Sequence, residues 1–221
     1  MSSQPGTFVA VDTGGTFTDI VAISEGRIRT LKVASTPDDP SRAVRAGVAE
    51  LVAATDPHVL LHGTTVATNA LLERKGARVG LITNRGFEDV LEIGRQNRPQ
   101  LYALVGHRPP PLAAREDRIG IAGRMDPNGV ELEPVDPAEL QELVAWARER
   151  DSVAVCLLHA YANPEHEEAV AAALADWGGP LSVSSRILPE FREYERTSTV
   201  VVNAFVAPVV SGYLRRLEAE S

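Results

Sequence analysis

Apolar and polar residues alternate at the start of the chain and then change period. Residues 7–12 and 17–24 read as β-strands, and Glu25-Gly26 turns the second into a third over 27–33. Three strands in succession predict an antiparallel meander. From Asp39 the period becomes helical. Asp39 can cap, Pro40 suits the first position, and Val44, Val48, Leu51 and Val52 recur at helical spacing over 41–54. A short apolar strand over 58–62 runs directly into a helix over 64–75. Ala67, Ala70 and Leu71 share one face of that helix, and Gly76 is its expected stop. Residues 78–83 predict another strand, and 87–94 a short helix after a turn at Gly86.

The pattern weakens over 96–134. Arg108-Pro109-Pro110-Pro111 reads as a connector, and 117–125 is expected to pair with 129–133 around Asp126-Pro127-Asn128-Gly129. Alternation then returns. Asp136 and Glu139 have capping-box spacing and open a helix with Leu140, Leu143, Val144 and Ala147 aligned. A strand over 153–159, a helix from Asn163-Pro164, a strand over 181–185 and a mostly helical 189–220, kinked or broken near Pro208, complete the chain. This order predicts an α/β fold with a mixed sheet: an antiparallel meander, then alternating strands and helices around an irregular insert. The expected divisions are 1–95, 96–134, 135–188 and 189–221.

Composition narrows the function classes. The net charge is −8 and no basic run occurs, which argues against a nucleic-acid partner. Cys156 is the single cysteine, so no intramolecular disulfide forms. It lies in Val153-Ala154-Val155-Cys156-Leu157-Leu158, where a buried inert thiol is expected. Residues 1–6 lack a basic segment leading into an apolar one, and the longest apolar stretch, 199–211, is interrupted by Asn203 and Pro208. A cytoplasmic protein without a membrane partner is therefore expected. His58, His62, His107, His159 and His166 show no zinc-ligand spacing.

Two polar clusters carry the chemistry. The first is Val11-Asp12-Thr13-Gly14-Gly15-Thr16-Phe17-Thr18-Asp19, a turn between two strands with an acid on each side. Glycines lack Cβ and tolerate positive φ, so backbone amides can approach an anion closely. Thr13, Thr16 and Thr18 add hydroxyl donors, and Asp12 and Asp19 can hold a hydrated divalent cation. An ordinary hairpin turn would use the same glycines. The second cluster, His62-Gly63-Thr64-Thr65-Val66-Ala67-Thr68-Asn69, stands where a strand meets a helix, a favoured place for ligands in α/β sheets. N-capping explains one of its polar residues, but not all. The charge run Glu190-Phe191-Arg192-Glu193-Tyr194-Glu195-Arg196 reads as a solvated helix face or a packing surface.

Together the two clusters resemble the signatures of the hydantoinase A / 5-oxoprolinase family. The stretches 83–95, 157–164 and 192–199 fit the same family, in order. The resemblance implies an ATPase class related to actin, sugar kinases and Hsp70, with a ribonuclease H-like half. It implies ATP and Mg2+ as cofactors, with Asp12 as the catalytic or metal-water ligand and Asp19 beside it. Thr13, Gly14, Gly15, Thr16 and Thr18 would contact phosphates, and Gly63, Thr64, Thr65 and Asn69 would bind phosphate or a substrate carbonyl. The implied reaction opens a small cyclic amide, hydantoin or 5-oxoproline, after phosphorylation of its carbonyl oxygen; relatives carboxylate ketones. Only one such glycine loop is present here, so the resemblance covers the family's N-terminal region. The resemblance implies a partner, either a C-terminal half or another subunit, and an oligomeric enzyme; this chain alone would be inactive. A non-catalytic subunit is the alternative.

Overall fold

The computed structural model describes residues 6–36, 38–53, 56–96 and 109–218. The chain forms two compact units, Met1–Lys75 with Val209–Ser221, and Gly76–Pro208. The sequence divisions at 95, 134 and 188 differ from these. The expectations for residues 1–5, for 97–108 within the insert, and for the last two positions of the 189–220 helix lie outside the described residues.

The first unit holds β1 (Thr7–Thr13), β2 (Phe17–Ser24), β3 (Arg27–Ala34), α1 (Pro40–Leu51), β4 (His58–Thr64) and α2 (Val66–Leu72). The predicted meander is present, and β4 adds in parallel to β1, giving the order β3-β2-β1-β4. Alternation sends Val9, Val11, Ile20 and Ala22 to one face. There they pack with Val44 and Leu51 of α1 and with Tyr213 and Leu217. Asp39 caps α1 by accepting from the Ser41 amide at 3.2 Å, with Pro40 at the first turn. The helix after β4 is shorter than expected. Arg74, not Gly76, takes the left-handed conformation after it, at φ 54°.

The second unit holds β5 (Val79–Asn84), α3 (Val90–Ile93), β6 (Arg118–Ile121), β7 (Arg124–Met125), β8 (Glu131–Glu133), α4 (Pro137–Ala147), β9 (Ser152–Val155), α5 (Glu165–Ala173), β10 (Leu181–Val183) and α6 (Ser184–Ile187). Its sheet is parallel, in the order β10-β9-β5-β6. The alternation of strands and helices thus continues in a second sheet. The expected hairpin is reduced to β7 and β8, because Arg118–Ile121 joins β5 instead. Asp136 caps α4 through the Ala138 amide at 2.8 Å. Glu139 is drawn away from the capping box, accepting from the Ala122 amide at 2.7 Å and pairing with Arg85. Gly76 is small for a packing reason, since a Cβ there would lie 2.4 Å from the Phe205 ring.

The last helix, α7 (Glu193–Glu218), is continuous through Pro208. By length and composition it could cross a membrane. Its first part is instead a core helix of the second unit: Val200, Val201 and Ala204 are buried, and Asn203 donates to Ser182 at 2.9 Å. Its last turns complete the core of the first unit through Tyr213 and Leu217.

Candidate functional site

The glycine loop joins β1 to β2, and its shape is set by hydrogen bonds. Gly14 donates its amide to the Phe17 carbonyl at 3.0 Å, and Ser35 donates its amide to the Thr16 carbonyl at 2.9 Å. The Ser35 hydroxyl donates to the Gly14 carbonyl at 2.8 Å and accepts from Thr18 at 3.0 Å. Thr18 is fully buried and braces the loop in this way. Neither Gly14 nor Gly15 takes positive φ. Space is tight only at Gly14, where a Cβ would stand 3.2 Å from the Phe17 carbonyl; at Gly15 it would meet Asn69 Nδ2 at an ordinary 3.5 Å.

The second cluster lies beside the first because β4 pairs with β1, placing Gly63 opposite Asp12 and Thr64 opposite Thr13. The Thr13 carbonyl accepts from the Thr65 amide at 3.1 Å and from the Thr65 hydroxyl at 3.3 Å. Asn69 donates to the Thr65 hydroxyl at 3.2 Å, and Thr64 accepts from the Val66 amide at 3.2 Å. Capping therefore falls to Thr64, while Thr65 and Asn69 tie the helix to the loop.

Two faces result. On the helix-covered side, Thr13, Gly14, Gly15, Thr65 and Asn69 line a cleft of about 290 Å³. Ser35, Lys75, Tyr213 and Arg216 also reach it, none of which the sequence reading had singled out as site residues. Lys75 carries a visible signal, since it stands inside the second motif; Ser35, Tyr213 and Arg216 carry none. The Thr13 hydroxyl is buried in this wall beside the Tyr213 phenol. Behind it, the Tyr213 hydroxyl meets His62 Nε2 at 2.5 Å, and His62 Nδ1 is buried and unpaired. Burial pushes the His62 imidazole below its usual value, with the Asp12 charge pulling partly the other way. Burial pushes the Tyr213 phenol up, against the Thr13 and Thr64 hydroxyls.

On the opposite face, Asp12 and Asp19 are directly paired across β1 and β2, and both are exposed. Asp19 is held by Lys32 at 2.6 Å. Asp12 has no ion pair among the described residues and faces the open space left by Gly63, where a Cβ would lie 3.5 Å from its Oδ1. Thr16 is exposed at the loop tip between the faces. The donor set fits a magnesium ion. That ion needs one or two carboxylates beside phosphate and water oxygens, not a protein cage. No group of three candidate ligands exists among the described residues.

The mixed α/β fold thus carries a braced strand-loop-strand turn with hydroxyls around it and the exposed Asp12 carboxylate beside it. Residues 8–178 match the family described as hydantoinase/oxoprolinase N-terminal region, and the chain belongs to that family. It is 37% identical over 96% of its length to the caprolactamase subunit alpha of Pseudomonas jessenii, covering 33% of that protein. It is 31% identical over 92% of its length to 5-oxoprolinase 1 of Arabidopsis thaliana, covering 19%. The crystal structure of the ATP-dependent caprolactamase from Pseudomonas jessenii superposes with a TM-score of 0.82 at 34% identity, over 96% of this chain and 33% of that one. The mixed α/β architecture is thus shared, and the chain spans about a third or less of these relatives.

Proposed function

We propose that this chain is the ATP-phosphate-binding part of an ATP-dependent enzyme that opens small cyclic amides. The observation that carries this is the braced loop at residues 14–16, tied to the Thr65–Asn69 pair and walled by the buried Thr13 hydroxyl. The names of the relatives, caprolactamase and 5-oxoprolinase, support the substrate class. Amide resonance makes direct hydrolysis slow. Transfer of the terminal phosphoryl group to the amide oxygen releases ADP and leaves a better electrophile; water then adds at carbon and the ring C–N bond breaks to free the amine and leave an acyl phosphate, which a second water hydrolyses to carboxylate and phosphate.

In this reading the loop amides of Gly15 and Thr16 orient the phosphates, while the Gly14 amide is used to hold the turn, and Thr65 and Asn69 hold the loop or receive the carbonyl. Asp12 holds the water shell of Mg2+, with Asp19 beside it tethered by Lys32. Bound Mg2+ neutralises charge on the phosphates. The rest of the enzyme, as a further domain or a partner subunit, supplies the adenosine pocket and the substrate contacts. The enzyme works as an oligomer in the cytoplasm, where ATP is available and the free, buried Cys156 stays reduced. In the complete enzyme, Asp12→Ala lowers turnover by roughly a hundredfold or more, the loss typical of removing one preorganised charge-stabilising group, with an unchanged melting curve. Unaltered turnover in that variant defeats the assignment.

A further inference from the structure

The second unit contains an arrangement that the phosphate loop does not use. In its parallel sheet, β5 leads to β6 on one side, while β9 and β10 lie on the other. The strand order therefore reverses between β5 and β9, and a crevice outside the carboxyl ends of such strands is where open α/β sheets take ligands. Asn84 ends β5 there, accepting from the Leu158 amide at 2.6 Å and donating to the Gly123 carbonyl at 2.6 Å. His159 follows β9 with φ 60°, a left-handed conformation that costs a non-glycine residue energy.

Arg196 lies against this segment. It is 1% exposed and donates Nη2 to the Leu157 carbonyl at 2.7 Å, but its Nε and Nη1 are buried with no partner. Its guanidinium stands 5.6 Å from the Tyr161 ring, whose hydroxyl is 3.3 Å from His159 Nδ1. Arg124 comes from the hairpin side, over the Phe87 ring at 5.3 Å. Neither arginine makes an ion pair with a carboxylate among the described residues. The acids that face His159 do not cancel them: Asp126 is committed to the Asn128 and Val130 amides, and Glu193 is exposed. A buried guanidinium with two unmade hydrogen bonds is costly, and an anion restores the loss.

The geometry points to a second site, at the carboxyl ends of β5 and β9, for a small oxyanion of the carboxylate or phosphate class, with Arg196 at its floor and Arg124, His159 and Tyr161 at its half-open rim. Every residue in it belongs to the unit Gly76–Pro208.

The test is an NMR titration of the chain, following the His159 imidazole and the Tyr161 ring at constant ionic strength. One arm adds sodium phosphate and the other sodium acetate. Saturable shifts at both residues are expected, with the His159 titration moving upward as the anion offsets the two arginines. A response to phosphate alone assigns the phosphate class, to acetate alone the carboxylate class, and to both a general oxyanion site. Arg124→Gln leaves the fold intact, because Arg124 is only partly buried, and weakens the response roughly tenfold through loss of one charge-assisted hydrogen bond. The proposal is overturned if neither anion moves the two signals, or if Arg124→Gln leaves the response unchanged.

Discussion

The two four-stranded sheets divide fold and chemistry differently. In the second unit, β5 and β9 are buried at every position and place apolar residues on both faces, through Leu81-Ile82 and Val153-Ala154-Val155, as strands covered on both faces do. In the first, only one face is covered. Phe8, Phe17, Ile23, Ile28 and Leu61 stay 41% to 68% exposed on the face that also carries Asp12 and Asp19. Among the described residues each unit has one histidine depressed by burial, but the leading charges beside them act oppositely. Asp12 partly restores His62, whereas Arg124 and Arg196 push His159 further down. A half-covered sheet leaves its carboxylates exposed to solvent, while a fully covered sheet concentrates its unpaired charge at one edge.

The largest contrast is expected in stability. Ile82 is fully buried in β5, so Ile82→Ala should cost about 2–5 kcal/mol by denaturant unfolding, transfer and cavity terms together. Phe8→Ala removes a larger ring from the open face and should cost less than about 1 kcal/mol. Equal losses would show that the open face is packed in solution and would remove the contrast.

A smaller effect is expected at Gly76. Its absent Cβ leaves room for the Phe205 ring, and three ring atoms would lie within 2.6 Å of one added there. Gly76→Ala should therefore destabilise the second unit by roughly 1–3 kcal/mol, the usual cost of overpacking. Gly26→Ala tests the opposite cause: nothing lies near its Cβ, and only its φ of 73° resists substitution. Adding Phe205→Leu should recover part of the Gly76→Ala loss and none of the Gly26→Ala loss. Recovery in both would mean that the ring is not the obstacle.

What could be read from the sequence follows the range of each interaction. The meander, the Asp39-Pro40 start of α1 and the Asp136 cap are local, and each forms as expected. Pairing across distance was harder to see. Arg118–Ile121 looked like a hairpin arm because a strong turn follows it, yet its partner is β5. The turn between β1 and β2 was legible, but its brace was not: Ser35 reaches Gly14 across 21 positions and Tyr213 reaches His62 across 151. Positive φ, the expected reason for the two glycines, is absent, and only Gly14 is short of space. Arg196 was hidden in a charge run that reads as a solvated face; Arg192 and Glu193 do face solvent, and helical rotation turns Arg196 inward.

The finest test separates the two histidines. Both have folded values below the ordinary one, so the unfolded chain binds more protons between the folded value and about 6.5. Stability is therefore complete above about pH 6.5 and falls as the pH drops toward the folded values. Salt screens charges but leaves burial untouched. Raising ionic strength should move the His159 titration upward by a fraction of a unit, because it weakens Arg124 and Arg196. The His62 titration should stay or drift slightly downward, because the only charge that helps it is the carboxylate of Asp12. Asp12→Asn should lower His62 further and leave His159 in place. Parallel salt shifts of the two imidazoles, read by NMR between about pH 5 and 8, would break the distinction between a site organised around a free carboxylate and one organised around unpaired arginines.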